Sequence, residues 1–392
     1  MAVLRACFAG VLLAVGLAGC GSPVTRTSTE STTPEPVKDE TASAPFVPIS
    51  VPFKRITGPL DGEAKTLVGK GGTFPAPLYK QWFTAYSNKI GVKIDYTGIG
   101  SSEGIKKLSN QEVDFAATDA LMTDTELQAA KGGAVLHIPT AFGAVAIAYN
   151  VPGVTGSNGA NGRLKFTPQT LSDIYQGVIT RWNDPLLVRD NPQLATVHTD
   201  IIAVHRADGS GTTFGFTDYL STVNPAWRLR SGKGTSVYWN EGIGALGSGG
   251  VAKMIRQNPN SIGYVELGYA QRSKLAYALI QNRAGRLIEP TIDSIVAAAA
   301  ASGKNAPADL RFSIVNASGD TSYPLCTGTW LLVYRNQTDK PKATALARML
   351  HWATSDAQAV NASLNYAPIP TEIATRSEAL IRQITFNGQP LQ

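Results

Sequence analysis

The chain has 392 residues, of which 43% are hydrophobic and 16% are charged, so it can fold into two domains with well-buried cores. Its formal net charge is +6, but lysine and arginine are scattered and form no basic run with interleaved aromatic residues, which argues against nucleic-acid binding. The 4 histidines and 3 cysteines lack metal-ligand spacing, and no P-loop pattern occurs, so we expect neither a metal nor a cofactor.

The N-terminus is typical of an export signal. Arg5 supplies a positive charge, and the apolar run from residue 7 to residue 18 is too short to span a bilayer. The run ends in Leu17-Ala18-Gly19-Cys20, which resembles the processing site of a bacterial lipoprotein. The resemblance implies a signal peptide over residues 1–19, cleavage before Cys20, and lipidation of the Cys20 thiol, for example with palmitate. An ordinary signal peptide with an incidental cysteine is the alternative.

Residues 20–65 are expected to begin with the lipidated Cys20 and to continue as a disordered stalk. They are rich in Thr, Ser, Pro and Glu, and such a segment cannot bury enough apolar surface to fold. No run beyond the signal reaches the length of a membrane-spanning helix. The stalk would therefore act as a flexible tether between the membrane and the folded part.

The folded part begins with three strand–loop–helix units. Short strands are expected near residues 66–69, 92–96 and 113–117, each followed by a loop and a helical pattern. A capping-box pattern at Thr123 and Glu126 predicts the start of the third helix. This alternation implies an open parallel α/β sheet, and such sheets bind ligands beyond the carboxyl ends of their strands. The loops at that edge contain Thr73, Ser101 and Asp119.

A fourth loop, Arg206-Ala207-Asp208-Gly209-Ser210-Gly211-Thr212, follows the apolar strand at 201–204 and precedes a helical pattern from Phe214. Its glycines let the backbone approach a ligand closely, and the first amides of the helix have no acceptor within the helix. Together with the positive end of the helix dipole, these amides form an anion site. One arginine, several hydroxyls and no lysine cluster indicate an oxyanion held by hydrogen bonds.

Asp119 discriminates between oxyanions in this hypothesis. A carboxylate repels an anion unless the ligand carries a proton, because an ionised aspartate only accepts hydrogen bonds. Phosphate is protonated near neutral pH and sulfate is not, so Asp119 would admit phosphate and reject sulfate. The alternative is that Asp119 only caps the following helix. Asp208 could orient the Arg206 guanidinium, or could be a turn residue bonded to its own backbone.

The later elements form a second group and then return to the first. Helices are expected near 168–176, 249–257, 341–353 and 371–384, and strands near 262–265 and 329–334. We expect a crossover near residues 140–145 and a return near 318–324. Lobe I then comprises residues 66–142 plus 320–392, and lobe II comprises residues 143–319. Cys326 lies beside an apolar strand and is predicted to be a buried structural thiol.

The loops together resemble the phosphate-binding protein of the bacterial phosphate ABC transporter, the PstS family. The main matching motifs are Gly71-Gly72-Thr73-Phe74-Pro75-Ala76-Pro77, Gly98-Ile99-Gly100-Ser101-Ser102, Val113-Asp114-Phe115-Ala116-Ala117-Thr118-Asp119-Ala120 and the fourth loop. Weaker similarities include Asp173-Ile174-Tyr175-Gln176-Gly177 and Ser261-Ile262-Gly263-Tyr264-Val265-Glu266. They occur in the family's order and cover nearly the whole chain from about residue 66 onward.

The resemblance implies an α/β fold of the class II periplasmic-binding-protein type, with two lobes, each an open sheet flanked by helices, and the ligand in the interlobe cleft. Carried over from the family, Asp119 would accept the phosphate proton, and Arg206, held by Asp208, would make the charged hydrogen bond. The remaining donors would be the amides and hydroxyls of Thr73, Phe74, Ser101, Ser210, Gly211 and Thr212. Glu103 departs from the family pattern and is expected in a first helical turn, facing solvent.

The implied function is high-affinity capture of inorganic phosphate by a non-enzymatic receptor. It would be lipid-anchored on the extracytoplasmic face of the cell membrane, act as a monomer, and deliver phosphate to the transmembrane permease of a phosphate ABC transporter. One alternative is a binding protein for another oxyanion such as sulfate. Another is a secreted phosphatase or esterase using Ser210, for which the sequence places no base nearby.

Overall fold

The computed structural model describes residues 56–154 and 162–391. The expected signal peptide, Cys20 and most of the expected stalk lie outside these residues. Within the described ranges, no helix has both the length and the apolar character needed to cross a membrane.

Helices and strands alternate along the chain. The helices are α1 (Ala76–Ile90), α2 (Ser101–Ser109), α3 (Asp124–Ala129), α4 (Pro168–Tyr175), α5 (Pro185–Asp190), α6 (Gly211–Val223), α7 (Pro225–Arg230), α8 (Gly247–Gln257), α9 (Leu267–Arg272), α10 (Ile292–Gly303), α11 (Lys340–Ala353) and α12 (Thr371–Ile381). The strands are β1 (Thr66–Gly71), β2 (Lys93–Gly98), β3 (Phe115–Thr118), β4 (Val135–Asn150), β5 (Lys165–Phe166), β6 (Ile202–Arg206), β7 (Ile243–Ala245), β8 (Ser261–Glu266), β9 (Ala276–Tyr277), β10 (Leu279–Gln281), β11 (Leu287–Ile288), β12 (Cys326–Tyr334), β13 (Asn336–Gln337), β14 (Tyr366–Ala367), β15 (Thr385–Phe386) and β16 (Gln389–Pro390).

Local sequence signals explain where the helices start and stop. In α3, Thr123 and Glu126 form the predicted capping box, with both reciprocal hydrogen bonds present. Helix α1 has a proline in its first turn and ends at Gly91, whose φ of 86° lies in the left-handed region that glycine adopts at low cost. Leu78 and Trp82 are among the residues that α1 buries against the sheet, as the i, i+4 spacing predicts.

The main sheet has the strand order β2-β1-β3-β12-β4-β8-β6-β7. The first three strands are parallel, as predicted, and so are β8, β6 and β7. The parallel pattern expected from the first three units does not extend to the centre of the sheet, where β12 and β4 run antiparallel to their neighbours. An apolar run predicts a buried strand but carries no information about its direction, which is why the sequence missed this.

The long strand β4 joins two halves of this sheet. Residues 135–144 pair with β12, whereas residues 145–150 pair with β8. We call β2, β1, β3, β12 and their helices the first half, and β8, β6, β7 and theirs the second half. The partner change means that one continuous strand carries the chain from one half to the other.

Residues 56–65 were expected in the stalk but pack against the folded part. Ile56 is buried in the main hydrophobic core. Glu63 is 8% exposed, and its carboxylate forms an ion pair with Arg348, 2.9 Å from Nε. Nη2 of the same arginine donates to the Gly58 carbonyl at 2.6 Å. The expected boundary at residue 65 is therefore too late, because a polar composition does not reveal a few well-placed contacts.

Cys326 is buried at the start of β12, as predicted for a structural thiol. Its Sγ donates a hydrogen bond to the Tyr323 carbonyl at 3.2 Å. Burial raises the pKa of the thiol, so the reactive thiolate is disfavoured.

Candidate functional site

The first three loops meet at one edge of the sheet because their strands end in register. Gly71, at the end of β1, pairs with both Gly98 and Ala117. The Gly71 carbonyl accepts hydrogen bonds from the Ile99 and Gly100 amides at 2.8 and 2.9 Å. A Cβ on Gly104 of α2 would lie 2.5 Å from the Gly71 Cα, so the start of α2 packs directly on the loop that carries Thr73.

Asp119 and Ser101 form the buried floor of this edge. Ser101 is fully buried and Asp119 is 2% exposed. The Asp119 amide donates to Ser101 Oγ at 3.3 Å, and that hydroxyl lies 3.5 Å from Asp119 Oδ2. Asp119 Oδ1 is buried and has no hydrogen-bond partner among the described residues. Asp119 does not cap α3, because Thr123 does.

The environment of Asp119 disfavours its charged form. Burial raises the pKa of the carboxyl to about 7, although the hydroxyl of Thr329, the positive charge of Arg206 and the hydroxyl of Ser101 act in the opposite direction. An unpaired acceptor at this depth costs free energy unless something supplies a proton or a donor. The carboxyl is therefore suited to a ligand that brings a hydrogen with it.

The fourth loop leads into α6 with free donors at its start. Ser210 caps the helix, since its Oγ accepts from the Thr213 amide at 3.1 Å. The amides of Gly211 and Thr212 occupy the first helical positions and have no acceptor within α6. Thr212 Oγ1 is buried without a partner in the part of the chain that the structure describes.

The expected amide donor of Ser210 is not free. The Ser210 amide donates to the Thr235 carbonyl at 2.8 Å, so only the hydroxyl hydrogen of this residue is available to a ligand. Residue 235 lies in the irregular segment between α7 and β7, and no local pattern in the sequence indicates this contact.

Gly211 allows the start of α6 to approach the first half of the sheet. A Cβ at this position would lie 2.5 Å from Ser101 Oγ and 2.7 Å from Asp119 Oδ2. Such distances exclude any side chain unless the backbone moves. The glycine therefore brings the α6 amides against the Asp119 carboxyl.

Arg206 is the buried cation of the site. It is 5% exposed, and its Nε donates to Asp208 Oδ1 at 2.7 Å while Nη2 donates to Oδ2. Burial alone would raise the pKa of Asp208, but the hydrogen bonds and charge of Arg206 outweigh this effect and lower it. The Gly247 amide also donates to Asp208 Oδ1, at 3.0 Å. Asp208 therefore orients the guanidinium, which is the first of the two alternatives that the sequence left open for this residue.

Thr73 is held by residues of the second half, and Phe74 is held by Tyr366 of β14. Thr73 Oγ1 accepts from the Ser248 amide at 3.1 Å, and the Thr73 carbonyl accepts from the Tyr269 hydroxyl at 2.9 Å. The Phe74 carbonyl accepts from the Tyr366 hydroxyl at 2.6 Å, and the two rings meet edge to face. The Thr73 carbonyl lies in the same peptide plane as the Phe74 amide, so the Tyr269 contact also fixes the direction of that amide.

Comparison with known proteins identifies the family. A family model described as a PBP superfamily domain matches residues 57–357. A phosphate-binding protein PstS of Haemophilus influenzae is 36% identical over 314 residues, which are 80% of this chain and 91% of the relative. The chain belongs to the PstS family. A PstS of Methanocaldococcus jannaschii is 32% identical over 326 residues, covering 78% of this chain and 82% of the relative.

Solved structures confirm the fold class expected for the PstS family. A periplasmic phosphate-binding protein called PfluDING, bound with phosphate, superposes with a TM-score of 0.63 at 19% identity, covering 80% of this chain and 93% of that one. A phosphate ABC transporter substrate-binding protein from Clostridium perfringens gives a TM-score of 0.56 at 19% identity, covering 78% and 100%. The fold is the α/β periplasmic-binding-protein type, and at these identities the likeness concerns the fold alone.

Three residues of the site were missed by reasoning from the sequence. Ser248 follows the short strand β7 in Gly247-Ser248-Gly249-Gly250, which repeats the glycine-and-hydroxyl pattern of the other loops and could have been recognised. Tyr269 and Tyr366 carry no such signal, because a tyrosine outside such a pattern is indistinguishable in the sequence from an ordinary core residue.

Two further observations bear on charge near the site. Glu103 lies in the first turn of α2, is 42% exposed, and is 3.9 Å from Lys106 and 3.7 Å from Lys107, which confirms that it faces solvent. Across the described ranges, no cluster of three or more histidine, cysteine or acidic side chains could hold a metal ion.

Proposed function

We propose that this protein captures inorganic phosphate outside the cytoplasm and delivers it to the membrane permease of a phosphate ABC transporter. Relatives that cover most of the chain are named phosphate-binding proteins. The observation that carries the proposal is the buried Oδ1 of Asp119, which has no hydrogen-bond partner among the described residues, together with the positive charge of Arg206 and the α6 amides. That combination matches an anion that also carries a hydrogen.

The proposed binding mode assigns each group one role. Arg206 supplies the charged hydrogen bond, and Asp208 holds its guanidinium. Asp119, when ionised, accepts the hydrogen of protonated phosphate. The neutral donors are the amides of Thr73, Phe74, Gly211 and Thr212 together with the hydroxyls of Thr73, Ser101, Ser210 and Thr212. No cofactor enters this scheme.

Selectivity follows from the proton. Sulfate carries no hydrogen near neutral pH, so an ionised Asp119 would face it with an unpaired repulsive contact in a site shielded from water. If Asp119 were protonated instead, it could donate to sulfate. A carboxyl with a pKa of about 7 in the empty site is mostly ionised above that pH, so discrimination against sulfate should strengthen as the pH rises above about 7.

The ligand is proposed to sit between two lobes, residues 66–142 plus 320–392 and residues 143–319. The change of β4 partners at residues 144 and 145 supports this division, since it lies at the proposed crossover. Groups from both sides would contact one phosphate, and hinge closure around it would shield the site from water.

Anchoring is proposed through the N-terminus. Cleavage before Cys20 and lipidation of its thiol would tether a monomer to the outer face of the cell membrane, with the stalk as spacer. The Leu17-Ala18-Gly19-Cys20 sequence supports this step.

An enzymatic role for Ser210 is disfavoured. Its hydroxyl is engaged as the cap of α6, and no histidine contact to it occurs among the described residues. The relatives compared above are named as binding proteins rather than as hydrolases.

Calorimetric titration of the mature protein with phosphate and, separately, with sulfate tests the proposal. The protein is first freed of bound ligand by partial unfolding and refolding. We expect tight one-to-one phosphate binding and no sulfate signal. Binding of both anions with equal strength would remove the proton-based selectivity, and silence with both would show that the chain keeps the scaffold without the function.

A further inference from the structure

Thr73 accepts hydrogen bonds from two residues, Ser248 and Tyr269, that have no assigned role in binding the ligand. Ser248 lies at the start of α8, which packs against β6 and β8 of the second half, and Tyr269 lies on α9, directly after β8. Thr73 lies between β1 and α1 of the first half. The three hydrogen-bonding contacts between them therefore span the two halves of the sheet.

The contacts occupy particular atoms of Thr73. Its Oγ1 accepts from the Ser248 amide and lies 3.1 Å from Ser248 Oγ, and its carbonyl accepts from the Tyr269 hydroxyl at 2.9 Å. The Thr73 amide remains available to an oxyanion, as does its hydroxyl hydrogen when Ser248 Oγ acts as the donor of that pair. Residues of the second half and a ligand can thus bind different atoms of the same residue.

The same turn also reaches the charged part of the site. Arg206 Nη1 lies 3.4 Å from Ser248 Oγ, and the Gly247 amide donates to Asp208. Ser248 is 1% exposed, so these contacts are shielded from water. The start of α8 therefore lies between the guanidinium on one side and Thr73 on the other.

Contacts within the second half hold the backbone and the ring of Tyr269 in place. The buried Glu266 carboxylate caps α9, accepting from the Gly268 amide at 2.6 Å and from the Tyr269 amide at 3.1 Å. The Arg272 guanidinium lies over the Tyr269 ring, 4.7 Å from its centroid. The hydroxyl is thus directed at Thr73 by contacts within the second half.

We infer that Ser248 and Tyr269 form a clasp on Thr73 that closes the two halves directly, without passing through the ligand, and so sets how long phosphate stays bound. This rests on the proposed phosphate function for its kinetic consequence. Both are positioning residues: they orient Thr73 and favour the closed arrangement. They do not accept the proton of the ligand, so the clasp affects residence time and leaves selectivity unchanged.

The first test measures phosphate release from Tyr269→Phe, which keeps the ring and deletes one hydrogen bond. Release of radiolabelled phosphate is followed during a chase with unlabelled phosphate, and the association rate is obtained from the calorimetric affinity. We expect release to be roughly three- to tenfold faster, as for the loss of one neutral hydrogen bond, with the association rate within about twofold and the phosphate-over-sulfate preference unchanged.

The matched control is Tyr334→Phe. The Tyr334 hydroxyl also donates to a backbone carbonyl, that of Leu108 at 2.9 Å, but within the first half. We expect normal release from this variant. Equal release rates for the parent protein and Tyr269→Phe, or a rate that changes equally in both variants, would overturn the clasp.

A second measurement tests the clasp in the absence of phosphate. Spin labels are placed on cysteines introduced by Asn88→Cys on α1 and Lys253→Cys on α8, both at exposed positions, and their separation is measured by pulsed electron paramagnetic resonance. In the ligand-free protein, we expect Tyr269→Phe to increase the population at long separation. An unchanged distribution would refute direct closure. If the parent protein failed to bind phosphate, the proposed function would be rejected. The spin-label distance distribution of the ligand-free protein would then be the only test of the clasp.

Discussion

Two aspartates at the ends of two strands show how the same residue type acquires opposite properties. Asp119 follows β3 and has one carboxylate oxygen without a partner in the described part of the chain, and burial raises its pKa to about 7. Asp208 follows β6, is paired with Arg206 through two hydrogen bonds, and has a lowered pKa. The immediate partner of a carboxyl, rather than its residue type or its position after a strand, therefore decides whether it stays ionised or can share a proton.

Arg206→Ala should have the largest effect, because it removes the cation on which Asp208 and the ligand both depend. We expect phosphate affinity to fall by about 3–5 kcal/mol, as for the loss of one partner of a buried charge pair. Calorimetry measures the loss. Arg230→Ala, an exposed arginine on α7, is the control for the change in net charge. Unchanged affinity in Arg206→Ala would place the site elsewhere.

The pH dependence of stability should separate the two aspartates next. A pKa raised to about 7 in the folded state stabilises the protein at low pH, and this contribution is lost as pH rises through about 7. Between pH 5 and pH 8, the ligand-free parent should therefore lose about 2–3 kcal/mol relative to Asp119→Asn.

Urea unfolding of both proteins at the two pH values provides the measurement. Asp208→Asn serves as the contrast, because a lowered pKa gives stability that is lost only at acid pH, below this window. A parallel pH dependence of the parent and Asp119→Asn would contradict the raised pKa of Asp119.

Asp119→Asn should also reduce the discrimination against sulfate. An amide can donate a hydrogen bond to a fully ionised oxyanion, so the repulsive contact disappears. We expect the ratio of phosphate to sulfate affinity to fall by about thirtyfold, or about 2 kcal/mol. Competition calorimetry with both anions measures this ratio. A preference identical to that of the parent would remove Asp119 from the selectivity mechanism.

Asp208→Asn should have the smallest effect. An amide oxygen can still accept one hydrogen bond from Arg206, so the guanidinium keeps part of its orientation while the ionic attraction is lost. We expect phosphate affinity to fall by about 1 kcal/mol with selectivity unchanged. An effect as large as that of Arg206→Ala would mean that Asp208 contributes more than orientation, and titration of both variants under one buffer decides the point.

Much of the site could be predicted because it depends on local pattern. Glycine-rich loops after apolar strands identified where α2 and α6 begin, and the register of parallel strands explains why Thr73, Ser101 and Asp119 lie at one edge. The capping box of α3 and the buried Cys326 were likewise readable from short segments. Each of these features is encoded within a few consecutive residues.

What the sequence could not give depends on contacts between distant segments. The antiparallel direction of β4 and β12, the Thr235 carbonyl that occupies the Ser210 amide, and the packing of residues 56–65 all arise from pairs far apart in the chain. The same is true of Ser248 and Tyr269 on Thr73. No local pattern records which distant group will meet a given donor.

The sequence by itself determined the residue types of the site, the positions of its helix starts and its family, because propensity, glycine placement and motif order are local properties. Only the tertiary structure decided which carboxyl is paired and which keeps an oxygen without a partner in the described ranges, since burial and partner distance exist only after the sheet halves have come together. The chemistry proposed for phosphate depends on that second kind of information.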